Sequence, residues 1–247
     1  MNLSKEYLSI GIALIIAVIG AFAGIFWLLT QPPSIPTALR MPGADGTPKE
    51  AREGGKPADL KGMLRTFDGV PADLPGAWPA FRGPNRDNIV PNGAALSTEW
   101  GPDGPPVLWR TALGEGYAGP VVQAGRVYLI DYDEKAKSDA VRCFSLADGR
   151  EIWRHSYRVV VKRNHGMSRT VPAVTADYLV TMGPRCHVVC LNPTSGEFRW
   201  GIDLQQEYAV KEPLWYTGQC PLIDGDQVVL APCGSEVLMM AVDAATG

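Results

Sequence analysis

The chain has 247 residues, 46% hydrophobic and 20% charged, with a formal net charge of −3. That balance excludes a basic nucleic-acid footprint, a disordered chain and a collagen-like one. Charge is segregated: residues 1–77 carry 7 basic and 7 acidic side chains, so the acidic excess belongs to residues 78–247.

Leu8 to Leu29 is a run of 22 residues without a charge. As a helix it would extend roughly 33 Å, enough for a bilayer core of about 30 Å. Tyr7 and Trp27 suit the two interfacial belts. Residues 1–30 are therefore read as a transmembrane anchor or a signal peptide. Ala21-Phe22-Ala23 offers a cleavage site, but the apolar run continues through Gly24 to Leu29, which favours the uncleaved anchor. The membrane is thus an expected partner through residues 8–29, with the bulk of the chain exported and the cell membrane as its location.

Residues 31–77 hold eight Pro and seven Gly. Such a segment lacks the apolar residues for a core and reads as a flexible tether. Within it, Asp59 to Phe67 has room for one helical turn or two.

From Trp78 onward, short β-type runs alternate with Gly and Asp turns. Three segments align. The first runs from Gly119-Pro120-Val121-Val122 to Trp153, the second from Val171-Pro172-Ala173-Val174 to Trp200, and the third from Cys220-Pro221-Leu222-Ile223 to Gly247. Each offers a Pro-led strand, two further strands, and a Gly turn (Gly149, Gly196, Gly247). The first two continue into a Trp-bearing fourth strand with Trp153 and Trp200. The prolines are 52 and 49 residues apart and the turn glycines 47 and 51. Four strands per such period mean propeller blades. The expected fold is all-β, a partial β-propeller of four-stranded antiparallel blades over residues 78–247, after one N-terminal helix. A small residue (Cys143, Cys190, Ala241) precedes each turn Gly by six positions, and each Trp follows by four. The Gly supplies a tight hairpin, and the Trp can fold over a neighbouring blade.

The pattern small-x-Asp/Asn/Ser-x-x-Thr/Ser/Asp-Gly-x-x-x-Trp resembles the tryptophan-docking motif of PQQ-like β-propeller repeats. Cys143 to Trp153 and Cys190 to Trp200 fit it, and Ala241 to Gly247 fits its first seven places. Trp78-Pro79-Ala80-Phe81-Arg82-Gly83-Pro84-Asn85-Arg86-Asp87 is similar to the start of exported bacterial proteins of this family. The resemblance implies that Trp109 is the docking Trp of a strand closing the ring with the last blade. The third segment stops inside its motif, so the 247 residues read as a truncated frame that continues with x-x-x-Trp and further blades.

The family includes quinoprotein dehydrogenases, which hold PQQ with Ca²⁺, usually beside a disulfide of adjacent cysteines. No adjacent Cys pair, assignable Glu/Asn/Asp set or Cys-x-x-Cys-His haem motif occurs here. The expected protein is therefore a protein- or ligand-binding scaffold with no catalytic residues, metal or cofactor. The alternative is a fragment of a PQQ-dependent oxidoreductase, with PQQ and Ca²⁺ bound. A Ser-His-Asp reading lacks a Gly-x-Ser-x-Gly motif around any nucleophile. Cys143 and Cys190 read as buried small hydrophobes. Cys186-His187 lacks a third metal ligand in sequence. One disulfide among the five cysteines is left open.

Two classes of connection are long and share one face of a propeller, which makes that face the expected binding surface. Ile152 to Ala176 carries five basic residues and no acid. Arg163, His165 and Arg169 fall on an inter-blade loop, and Arg185 with His187 on the next hairpin. These five are the candidate ligand-binding residues, for an anionic ligand or an acidic protein segment.

Overall fold

The computed structural model describes residues 3–30, 57–90, 97–161, 167–213 and 216–247. The chain divides into two compact units, residues 1–41 and 42–247. In the first, helix α1 spans Leu3–Leu29. Its Ile10–Leu29 stretch has a mean hydropathy of 2.7 and is long and apolar enough to cross a membrane.

The second unit is a partial β-propeller. Blade 1 is a five-stranded sheet of β1 (Met63–Thr66), β2 (Val121–Gln123), β3 (Arg126–Asp133), β4 (Ser138–Ser145) and β5 (Glu151–Arg158), in the order β1-β5-β4-β3-β2. Blade 2 is a four-stranded sheet of β6 (Ala173–Val174), β7 (Leu179–Met182), β8 (His187–Leu191) and β9 (Phe198–Asp203), paired in sequence order. A short helix, α2 (Leu204–Tyr208), follows β9 and is N-capped by Asp203. Blade 3 contributes β10 (Leu222–Asp224), β11 (Gln227–Leu230) and β12 (Met240–Asp243). Every described strand pair is antiparallel. The Pro-led strands β2, β6 and β10 neighbour one another along the inner side of the arc.

The sequence repeat is a repeat of geometry. Cys143 pairs with Trp153 across β4 and β5, and Cys190 pairs with Trp200 across β8 and β9. Both ladders shift register immediately beyond that pair. The extra residues are Ile152 and Arg199, a bulge that turns the following Trp toward the next sheet. Each Trp then meets the turn Gly of the next blade. The ring of Trp109 lies where a Cβ on Gly149 would be, Trp153 likewise at Gly196, and Trp200 at Gly247. Each indole N–H donates to the carbonyl three residues before that Gly: Leu146 at 2.9 Å, Pro193 at 3.2 Å and Ala244 at 2.9 Å. The three glycines have φ of 70°, 77° and 78°, the left-handed region that Gly adopts without steric cost. Gly is thus required twice at this position, by the backbone and by the indole above it.

The core lies between blades. Tyr128, Ile130, Val141 and Trp153 of blade 1 pack on Val174, Leu179, Val189 and Leu191 of blade 2. Val180, Met182, Val188 and Cys190 on the other face of blade 2 pack on Val228 and Leu230 of blade 3. Blade 2 is covered on both faces, which explains why β7 and β8 read as continuous apolar runs.

Three sequence expectations change. Residues 59–67 do not form a helical turn or two: β1 pairs with β5 and becomes the outermost strand of blade 1. Its Met63-Leu64-Arg65-Thr66 alternates side chains, so Leu64 reaches the core while Met63 and Arg65 face outward. The propeller therefore begins before Trp78. Residues 67–78 run inward along blade 1, with Gly69 N–H donating to Glu151 O, Ala72 N–H to Gly125 O, and Trp78 bonded both ways to Val122. The β3–β4 connection, one of those expected to be long, is a tight hairpin, because β3 and β4 each extend to eight residues and Asp133 caps the turn at Lys135 and Ala136. All five cysteines are free thiols, with Cys143 and Cys190 fully buried.

Candidate binding cleft

The N-terminal strap crosses the inner edge of the arc. Trp78 bridges to β2, Pro79 O accepts from Val174 N–H of β6, and Arg86 Nη2 donates to Ile223 O of β10 at 3.4 Å. Between this strap and the inner strands lies a cleft of about 640 Å³. It is lined by Trp78, Phe81, Arg82 and Asn88 of the strap and by Tyr117, Gly119, Pro120, Val122, Arg169 and Val171 of the blades. Phe81 and Tyr117 are exposed. The lining is aromatic and apolar with two guanidinium groups and no acid.

Arg169 is held from behind. Its Nη2 donates to Tyr216 O at 3.0 Å and its Nε to Thr217 O at 3.4 Å. These carbonyls fix the side chain without cancelling its charge. Among the described residues, no carboxylate pairs with Arg169 or Arg82. Low local polarity and an uncompensated charge favour an incoming anion.

The candidate residues separate. Arg169 lines the cleft. Arg163 and His165 lie outside the described residues. Arg185 stands on the β7–β8 hairpin, where its Nε donates to Glu212 Oε2 at 2.7 Å. Half-exposed and already paired, it carries little free charge for a ligand. His187 is not on the hairpin surface but buried in β8, 3.6 Å from Asp203 Oδ2 and edge-on to Tyr157. Burial pushes its pKa down to about 4 against the pull of Asp203, so it is neutral at pH 7 and unavailable to a surface anion. The basic run 152–176 is also divided: Arg154 lies on the face of blade 1 away from blade 2, paired with Glu151, and His155 is buried. Alternation along β5 sends successive side chains to opposite faces, which a charge tally cannot show.

Sequence reasoning left Trp78, Phe81, Arg82 and Tyr117 out of the site. The first three stand in the opening motif, whose aromatic and basic residues were the available signal. Their convergence with Arg169 depends on the strap's path, which sequence spacing does not give.

Away from the cleft, Arg142 sits between two carboxylates. Its Nη1 donates to Asp131 Oδ2 at 3.0 Å, and its Nε and Nη2 grip Glu151 at 2.9 Å each. Arg154 grips the same carboxylate from the other side at 2.8 and 2.7 Å. Burial alone would raise the Glu151 pKa, but the two guanidinium groups outweigh it and hold it below the usual range. This charge-balanced network ties β3, β4 and β5 together.

The family described as outer membrane protein assembly factor BamB matches residues 88–247. The chain belongs to this family of PQQ-like repeat proteins. No curated protein matches it. Among solved structures it is similar to a europium-containing methanol dehydrogenase, at 18% identity and a TM-score of 0.39, over 55% of this chain and 24% of that one. It is also similar to the quinohemoprotein alcohol dehydrogenase ADHIIG from Pseudomonas putida HK5, at 20% identity and a TM-score of 0.41, over 57% and 21%. BamB from Moraxella catarrhalis aligns at 13% identity and a TM-score of 0.30, over 55% and 45%. The chain thus spans less than half the length of each of these structures.

A Ca²⁺–PQQ group would need several oxygen ligands converging on the cation. Among the described residues, no three of His, Cys, Asp and Glu converge to hold a cation. No two cysteines are adjacent in sequence to form the ring disulfide. No step of chemistry is derived through that group.

Proposed function

We propose that the chain is a membrane-tethered, exported propeller, with its blades on the periplasmic or extracytoplasmic side, that works as a binding scaffold. Its concave cleft receives an acidic protein segment. The carrying observation is the pairing of two guanidinium groups, Arg82 and Arg169, which pair with no carboxylate among the described residues, with the exposed rings of Phe81 and Tyr117 in one cleft. Acidic side chains would meet the guanidinium groups, and apolar or aromatic neighbours would cover the rings. A family described as an assembly factor supports a protein partner over a small substrate.

The test is fluorescence anisotropy with the full chain in detergent and a labelled synthetic peptide rich in Asp, Glu and Phe. Arg169→Ala should weaken binding by about tenfold, equivalent to roughly 1.4 kcal/mol. Equal affinity for the variant and the parent chain would remove Arg169 from the site. The alternative reading, a PQQ-dependent oxidoreductase, is tested by titrating PQQ and Ca²⁺ with absorbance and dye-reduction readouts. Stoichiometric binding with dye reduction would replace the scaffold reading.

A further inference from the structure

Asp139 is a buried carboxyl in the joint between blades 1 and 2, and no part of the proposed site uses it. It sits in β4 between Tyr132 of β3 and Tyr157 of β5. Its Oδ2 accepts from Tyr157 Oη at 3.2 Å, and its Oδ1 is bonded to the Ser168 hydroxyl. From blade 2, the backbone of Gly183 closes over it: a Cβ there would overlap the Tyr157 hydroxyl and come within 2.8 Å of Asp139 Oδ2. Only Gly lets the two blades meet at this point.

Among the described residues, the charged and titratable surroundings give the carboxylate no counter-ion. Asp131, on β3, adds repulsion. Tyr132 spends its hydroxyl on Val159 O. Beyond Tyr157 stand His187, neutral, and Asp203, an acid; Cys186 is a buried thiol with its pKa raised. Arg185 lies next to His187 but is turned to Glu212. A carboxylate with two hydroxyl donors and no cation is costly to bury.

Ser168 links this joint to the cleft. Its carbonyl accepts from Tyr117 N–H at 3.2 Å and Ala118 N–H at 3.1 Å. Its backbone has a φ of 45°, a strained conformation for Ser. The next residue is Arg169, which lines the cleft together with Tyr117. The Ser168 side chain thus ties the inter-blade crossing to the blade 1 core, while its backbone ties the crossing to the cleft wall.

We propose that Asp139 is a proton-operated clasp: protonated, it seals the crossing at Ser168 into the joint between blades 1 and 2, and ionised, it admits water and loosens that crossing. Burial raises its pKa to about 7, against the lowering effect of the Ser168 and Tyr157 hydroxyls. The clasp rests on the fold alone; its effect on Arg169 rests on the reading of the cleft given above.

The sign follows from linkage. A carboxyl with a raised folded-state pKa binds more protons folded than unfolded, so its contribution to stability falls as pH rises from about 4 to about 7. His187, lowered by burial, works in the opposite direction from about 6.5 down to about 4. The two offset each other in a global unfolding curve, so the readout must be local.

Two measurements on the full chain in detergent test the clasp. The first is the infrared carbonyl band of a protonated carboxylic acid, taken as a difference between the parent chain and Asp139→Asn. It should be present near pH 6 and titrate away with a midpoint about 7. Ser168→Ala removes a donor to the ionised form and should move that midpoint upward. A midpoint in the ordinary carboxylate range overturns the proposal, as does an unmoved midpoint in Ser168→Ala. The second is hydrogen exchange at Tyr117 and Ala118, corrected for intrinsic rates. Between about pH 4 and the midpoint, protection should fall by up to about tenfold per pH unit and level off above the midpoint, and Asp139→Asn should abolish that dependence. Equal pH dependence in both chains overturns the clasp. Loss of acidic-peptide binding at every pH, with the exchange result intact, overturns the cleft reading and leaves the clasp standing.

Discussion

Trp153 shows how one side chain joins two blades. It stacks on Gly196, donates to Pro193 O and is nearly inaccessible. Trp153→Ala leaves a cavity between the sheets and should cost about 3–5 kcal/mol, read as a fall in denaturant midpoint. A loss under about 1 kcal/mol would mean the indole does not hold the blades together. Gly196→Val attacks the same contact from the other side, through both the positive φ and the missing space, and should destabilise comparably. Arg142 poses a different problem. Its removal leaves buried Asp131 without a cation, while Arg154 still holds Glu151, so Arg142→Ala should cost about 3 kcal/mol, whereas exposed Arg150 with Asp68 should cost under about 1. A denaturant series that ranked the two pairs equally would contradict the burial argument.

The strap formed by β1 and residues 67–88 is the element that changes the picture of the chain. It covers the outer edge of blade 1, which would otherwise present unpaired N–H and C=O groups. A chain beginning at Trp78 should therefore lose protection in β5, measured by hydrogen exchange, while β7 and β8 keep theirs. Unchanged exchange in β5 would show that β1 is dispensable. The blades themselves were legible in sequence because Pro120, Pro172 and Pro221 and the three turn glycines recur at nearly fixed intervals. The strap was not. Its residues are rich in Pro and Gly, and β1 is only four residues long, so its strand character comes from the free edge of β5 rather than from propensity. Arg169 was singled out from charge and lines the cleft, but His187 was misplaced, because a Gly-Pro hairpin suggested exposure where the strand begins at His187 itself.

At the scale of the molecule, three blades packed through Trp–Gly contacts form an arc whose inner side is closed by the strap. That arrangement supplies a concave surface, and its electrostatic character is set by a few groups. Among the described basic residues of 152–176, Arg154 is paired with Glu151 away from the cleft and Arg169 lines it, so the net acidity of the domain is compatible with a locally cationic pocket. The electrostatic part of the binding reading then depends on the sign of two charges, beside the exposed rings of Phe81 and Tyr117. Replacing both Arg82 and Arg169 with Glu reverses that sign at partly exposed positions without disturbing the core. The deciding measurement is anisotropy of one acidic and one Lys-rich peptide, equal in length and aromatic content, titrated with the full chain and the double variant at two salt concentrations. The account predicts acidic-peptide binding by the parent chain that weakens with salt, and a reversed preference in the double variant. Retention of the acidic preference after both charges are reversed would contradict it.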